Sequence, residues 1–370
     1  MKVAFDHQIF TLQSYGGVSR YISNLINFLS KNNIDARAYT GTHHNNYILD
    51  LPNNCVKGRY VKQYPAKTKE LFYLVNHFLT QTQINFWKPD IVHETYYSAL
   101  PIINSNSIRV VTAHDMIHEL FKGNFSESNK TAKRKREAFK RTDHILSISE
   151  NTKKDLIDIY GIDKSKISVV HNGVDIERFQ QQDYLDLNID FPYILYVGKR
   201  SGYKNFHRFI EACSQSKVIK NKIKILAFGG GDFSNEELLA MKNLGFSDGS
   251  IKQLGGDDKV LASLYTNAIC FVFPSLYEGF GLPPLEAMAS GCPVVSSNTS
   301  SMPEVINKAG EFFNPSITGE ICNAIERVIN SEERRSELID LGYKNVSLFS
   351  WDKCALGTIN VYKNLTGSGI

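Results

Sequence analysis

The stretch Phe273-Pro274-Ser275-Leu276-Tyr277-Glu278-Gly279-Phe280-Gly281-Leu282-Pro283-Pro284-Leu285-Glu286-Ala287-Met288 decides how the chain is read. An apolar, strand-like run over 269–273 stops at Pro274-Ser275, crosses a glycine-bearing loop and enters a helix near Pro283. Proline suits a first helical turn, where its missing N–H would have had no partner. The N–H groups of 279–282 are therefore expected at a helix N-terminus, which receives anions such as phosphate. Glu278 stands before the helix and Glu286 one turn inside it, so two acids can read one phosphate-bearing ligand at separate points.

Outward from this stretch, strands are expected at 193–197, 224–228, 251–254 and 294–296, with helical stretches between them. Toward the N-terminus, strands at 2–5, 36–39, 89–93, 108–113, 144–148 and 167–170 alternate with helices at 18–29, 67–87, 130–141 and 150–160. A polar loop follows the first strand and ends at Tyr15-Gly16-Gly17. Such alternation predicts an α/β protein with parallel, doubly wound sheets. Residues 180–192 lose the apolar rhythm and form the expected linker, so the domains are 1–180 and 181–349. Two domains also fit 370 residues, more than one ordinary core accommodates. Ligands of such sheets bind beyond the C-terminal strand ends, so the ligand is expected in the cleft between two facing Rossmann-like domains.

A net charge of +4 is too small to make nucleic acid the main partner. Six scattered cysteines without a C-x-x-C pair read as reduced core thiols and suggest a cytoplasmic setting. Met1-Lys2-Val3-Ala4-Phe5-Asp6 goes straight into a strand, which is not a signal-peptide pattern. No apolar run approaches the about 20 residues of a membrane span. Lys130, Lys133, Arg134, Lys135, Arg136, Lys140 and Arg141 make one helix strongly basic. It is either a solvated face or a dock for an anionic membrane surface at the inner face of the plasma membrane.

Gly16-Gly17 opens the first helix, where a phosphate can sit, although a glycine pair is also a plain tight turn. Neither it nor Gly229-Gly230-Gly231-Asp232 is G-x-G-x-x-G, which argues against a nicotinamide or flavin. Gly198-Lys199-Arg200-Ser201-Gly202-Tyr203-Lys204-Asn205 places cations at a strand end, suited to a diphosphate. His114-Asp115 ends a strand of the first domain. No D-x-D follows a strand and no histidine cluster has ligand spacing, so no obligatory metal or other cofactor is expected.

Glu278 through Val295 resembles the E-x7-E signature of the family 4 retaining glycosyltransferases, which have the GT-B fold. Gly16-Gly17, His114-Asp115, Ser147-Ile148-Ser149-Glu150, Asn172-Gly173-Val174-Asp175, 198–205 and Met302-Pro303-Glu304-Val305 match further pieces in the family's order. The resemblance implies a nucleotide-diphosphate sugar held mainly by the second domain and a glycan or lipid-linked acceptor on the first. By the same resemblance, Arg200 and Lys204 bind the diphosphate, Glu278 holds the sugar hydroxyls and Glu286 the ribose. Gly279, Phe280, Gly281 and Leu282 meet sugar and phosphate, Gly16 and Gly17 let the first domain's backbone approach, and His114 sits by the transferred sugar. His114 and Glu278 are the residues it ties to catalysis. Family members often carry arginine directly after the strand-end glycine; here Lys199 stands there and Arg200 follows, leaving the phosphate contact open between them. The helix at about 350–370 resembles the family's closing segment, which returns to the first domain. The expectation is a metal-independent transferase of surface polysaccharide synthesis, such as O-antigen or capsule. An epimerase or phosphorylase of the same fold, or a non-catalytic nucleotide-sugar binder, is the alternative.

Overall fold

The computed structural model describes residues 1–103, 106–124, 128–180, 185 and 187–367. The chain divides into two compact units, 1–173 with 351–370, and 174–350.

In the first unit, β1 (Lys2–Phe5), β2 (Asp35–His43), β3 (Val56–Tyr60), β4 (Ile91–Glu94), β5 (Ile108–Ala113), β6 (His144–Ser147) and β7 (Ile167–Val169) form one sheet. Its order is β3-β2-β1-β4-β5-β6-β7, with every pair parallel. The central strands are buried on both faces, as parallel strands covered by helices are, so even His93, Glu94 and His144 lie inside. The helix Gly17–Lys31 covers one face with Tyr21, Ile22, Leu25, Ile26 and Leu29, spaced at the helical period. The C-terminal helix Trp351–Leu365 joins the same core through Trp351, Cys354, Ile359 and Tyr362.

The second unit repeats the plan with β8 (Tyr193–Val197), β9 (Lys224–Phe228), β10 (Ile251–Leu254), β11 (Cys270–Phe273), β12 (Val294–Ser297) and β13 (Gly310–Phe313). Their order is β10-β9-β8-β11-β12-β13, again all parallel. In each sheet the chain crosses from one half to the other beside the first strand, between β1 and β4 and between β8 and β11. Connections leave in opposite directions there, and a crevice opens at the C-terminal strand ends.

Three features depart from the expected outline. The polar loop after β1 contains the helix Gln8–Leu12, and the strands β3 and β13 were not anticipated. The units divide at 173/174 rather than 180/181, because the short helix Ile176–Phe179 packs on the second unit's helices Asp258–Asn267 and Leu282–Ala289. Of the expected linker 180–192, residues 181–184 and 186 lie outside the described residues. Among the described residues, no helix is long and apolar enough to cross a membrane.

Candidate functional site

The loops after β8 and β11 flank the second unit's crossover and are fastened together. The Leu276 N–H donates to the Tyr203 carbonyl at 2.8 Å. Asn205, held at a left-handed φ of 58°, donates its side-chain amide to the carbonyls of Pro274 at 3.1 Å and Pro315 at 2.9 Å. Asparagine tolerates that backbone region better than most residues, because its short polar side chain can bond locally. This fastening brings Lys204 to Glu278, and the ammonium donates to Glu278 Oε1 at 2.6 Å. Both side chains are mostly covered, 18% and 11% exposed, so the bond is a charge-assisted one in a poorly hydrated place.

Two serines absent from the sequence reading set the acid's position. The Glu278 N–H donates to Ser300 Oγ at 2.9 Å, and the buried Ser301 hydroxyl lies 2.9 Å from the carbonyls of both Glu278 and Phe280. They directly precede Met302-Pro303-Glu304-Val305, and that adjacency was the available signal.

The helix Leu282–Ala289 begins at Gly281, where φ is 99° and no side chain caps the first turn. An added Cβ at Gly281 would lie 3.2 Å from Met302 Sδ, so both conformation and space call for glycine. The first turn carries Pro283, as expected, and Pro284 beside it, so the backbone N–H groups at this helix start are those of Gly281 and Leu282. Glu286 is half-buried on this helix. Burial first, then the neighbouring Glu286 carboxylate, pushes the Tyr265 phenol well above its usual range. The buried Tyr265 hydroxyl has no hydrogen-bond partner.

Arg200, expected to bind a diphosphate, is engaged by groups of the protein. Nε and Nη2 donate to the Glu237 carboxylate at 2.7 and 3.2 Å. Nη1 reaches the Gly229 carbonyl at 2.9 Å and Nη2 the Asp232 carbonyl at 2.8 Å. The guanidinium also lies over the Phe233 ring at 4.5 Å, and its side chain is 5% exposed. A guanidinium has five N–H donors. Four bonds leave at most one for a ligand, so Arg200 braces the 229–233 loop. Lys199 is exposed, and its carbonyl accepts from the Tyr196 hydroxyl at 2.5 Å.

In the first unit, Gly16 caps the helix Gly17–Lys31 without a side-chain hydrogen bond. The Ser19 N–H is taken by Gln13 Oε1 at 3.3 Å. A Cβ added at Gly17 would meet nothing within 4 Å, so this turn faces open space. His114 follows β5, and its backbone N–H donates to the Tyr97 hydroxyl oxygen at 3.2 Å. Its ring stands edge-on to Tyr21, with centroids 5.2 Å apart. Burial lowers the imidazole to about 4, with Asp115 opposing and Lys135 reinforcing, so the ring is neutral near pH 7.

Lys135, counted from sequence among the cations of a solvated helix, is instead 1% exposed. Its ammonium donates to the Asp115 carbonyl at 2.7 Å, to Asp115 Oδ1 at 3.0 Å and to Glu119 Oε2 at 3.1 Å. Burial alone would raise the Asp115 carboxyl; the Lys135 ammonium, the Ile117 N–H and the neighbouring His114 together outweigh it and hold the group below its usual range. Arg141 likewise turns to Glu94, at 3.1 and 2.5 Å, and to the Ser98 carbonyl at 2.6 Å. Lys135 shares its helix face with Ala138 and Phe139, a spacing that could have marked it as inward-facing. Lys130, Lys133, Arg134, Arg136 and Lys140 are the cations of that helix that remain exposed. Among the described residues, no group of three His, Cys, Asp or Glu side chains could hold a metal ion. All six cysteines are buried free thiols.

Two family descriptions tile most of the chain. Glycosyltransferase Family 4 matches residues 15–178, and Glycosyl transferases group 1 matches residues 177–345. O-antigen chain mannosyltransferase B of Escherichia coli is 35% identical over 47% of this chain and 46% of its own. O-antigen chain mannosyltransferase RfbU of Salmonella typhimurium is 28% identical, over 68% of this chain and 69% of its own. The chain spans about half the length of the first curated relatives it matches. Among solved structures, Anabaena HepE in complex with UDP-glucose superposes with a TM-score of 0.75 at 16% identity, covering 98% of this chain and 100% of that one.

Proposed function

Because the chain belongs to the family 4 glycosyltransferases, with their GT-B fold, we propose that it moves a sugar from a nucleotide-diphosphate donor to a glycan or lipid-linked acceptor. The finer reading is a retaining mannosyl transfer in surface polysaccharide synthesis, supported by the O-antigen mannosyltransferases among its relatives. The observation that carries the proposal is Lys204 bonded to Glu278 at 2.6 Å beside an uncapped helix start.

In the reaction, the bond between anomeric carbon and diphosphate oxygen breaks, and the electron pair leaves with the diphosphate. Positive charge grows on the sugar and negative charge on the leaving group. The Lys204 ammonium and the backbone donors at 281–282 supply fixed positive charge for the latter. In this reading no metal is needed for that task. Glu278 accepts hydrogen bonds from the sugar's hydroxyls and is not the nucleophile. The acceptor oxygen bonds to the anomeric carbon from the face the diphosphate leaves, and its proton passes to the departing phosphate. Glu286 takes the ribose hydroxyls. In the first unit, the open turn at Gly17 suits an anion, and the neutral His114 imidazole can both donate to and accept from hydroxyls. Such an enzyme works on the cytoplasmic side, at or near the membrane that carries its acceptor.

The test is a panel of GDP-, UDP-, ADP- and dTDP-sugars. The cognate donor raises the melting temperature by mass action, and with acceptor it releases free nucleoside diphosphate. The anomeric configuration of the product is then read by NMR. No stabilisation and no release from any donor would sink the proposal, and a product of inverted configuration would remove the retaining part.

A further inference from the structure

The helix Lys69–Trp87 is built inside out. Its buried residues are Asn76, His77, Thr80 and Ile84, mostly polar. Asn76 exchanges hydrogen bonds with the backbone of Thr42 at 2.8 and 2.7 Å and donates to Thr11 Oγ1 at 3.0 Å, and Thr80 donates to the Tyr39 carbonyl at 2.9 Å. The outward face carries Leu71, Leu74, Val75, Phe78, Leu79 and Phe86, with Phe78 68% and Phe86 89% exposed. Spacings of three and four residues from Leu71 to Leu79, and of seven on to Phe86, align them in one stripe. Gln81 holds the backbone of Ile103 at both its N–H and carbonyl, at 2.7 and 2.5 Å, so that side chain, 70% exposed, extends the patch. A surface helix ordinarily presents the opposite pattern, and a contiguous exposed apolar patch marks an interaction face.

We infer that this stripe is a docking surface for an anionic lipid bilayer, on which the helix lies in the plane of the interface. Charge favours lipid over a protein partner. Lys69 and Glu70 are the helix's own charged residues, and exposed Lys62, Lys67 and Lys88 lie in the chain just beyond its two ends. Apolar side chains that enter the acyl boundary beneath flanking cations are the make-up of an interfacial helix. The helix is not apolar enough to span. A cavity of about 440 Å³ opens at its first turns, lined by Lys69, Tyr73, Tyr97 and Arg134 and by Leu74 and Leu100. Leu74 belongs to both stripe and cavity, so the docked face brings a membrane-borne head group beside that opening. The bilayer contact therefore moves from the helix Ser128–Arg141, where Lys135 and Arg141 face inward, to the apolar stripe.

Flotation with vesicles of phosphatidylcholine, alone and mixed with phosphatidylglycerol, tests the assignment. Wild-type protein is expected to float with the mixed vesicles. Phe78→Glu with Phe86→Glu weakens binding by about tenfold or more. Lys67→Gln with Lys88→Gln weakens it only at low salt. Arg136→Gln with Lys140→Gln leaves it nearly unchanged. Donor-induced thermal stabilisation, measured on each variant, reports folding and donor binding separately from lipid. Flotation that survives the phenylalanine substitutions overturns the inference. So does a wild-type protein that ignores both vesicles yet is dimeric by light scattering and made monomeric by those substitutions, since a second copy then covers the stripe.

Discussion

At the scale of single residues, Lys204 and Glu278 form one unit, and their substitutions should not behave alike. Lys204→Ala removes the cation proposed for the diphosphate, so kcat/KM is expected to fall by about a hundredfold or more, with KM rising. Glu278→Gln leaves Lys204 without its counter-ion and free for phosphate, so kcat falls while KM stays level or drops. Steady-state kinetics with the cognate donor separate the two; equal KM rises in both variants would contradict the division of labour. Lys135 belongs to stability instead. Lys135→Met strips the charge that compensates Asp115 and Glu119, at a cost of about 3–5 kcal/mol, read by denaturant unfolding. These two lysines also show what sequence could and could not deliver. Lys204 was legible because a strand end, a cation and a following helix are contiguous in the chain. The bracing bonds of Arg200 were not legible because its partners, Gly229, Asp232 and Glu237, come from a segment beyond the next strand. Composition counts a lysine as a surface charge until a distant acid is seen beside it.

At the scale of elements, the helix start at Gly281 makes a sharper test than the helix itself. Gly281→Ala puts a side chain at a φ of 99° and against Met302, so the first turn must shift. The expected cost is about 1–3 kcal/mol, with donor affinity lost beyond what the small drop in melting temperature explains. Unchanged donor binding by calorimetry would detach the backbone donors at 281–282 from the ligand. The same stretch was readable in advance because Pro274, Gly281 and Pro283 mark its boundaries. Strand β3 was not, because Val56–Tyr60 lies at the sheet edge, mostly exposed, and carries no apolar run. Strand β13 ends the other sheet and begins with Gly310-Glu311. Edge strands bury little, so their sequences carry little of the signal that makes β1 or β8 evident. The helix Lys69–Trp87 was found by its length and apolar content. Which of its faces is buried depends on the polar partners at Thr11, Tyr39 and Thr42, which periodicity does not reveal.

At the scale of the whole molecule, the first unit carries a pH dependence that rests on its buried imidazoles. Burial lowers His7 and His93 to about 3 and His43 and His114 to about 4, against 6.5 for the free group. The sign follows from which state binds the proton. Below about pH 6.5 the unfolded chain protonates these rings while the folded chain does not, so folding stability drops as pH falls from there toward each lowered value. His93 ties the sheet to the C-terminal helix, because its ring bridges the Tyr362 hydroxyl at 2.6 Å and Thr112 Oγ1 at 2.9 Å. Acidification from about pH 7 to about pH 5 is thus expected to lower the melting of the first unit and to expose amides of the helix Trp351–Leu365 in hydrogen exchange. His93→Gln, which cannot titrate, should be less stable near neutrality and show a shallower slope over that range. A slope unaffected by the substitution, or protection lost first in residues 174–350, would place the acid-sensitive step elsewhere.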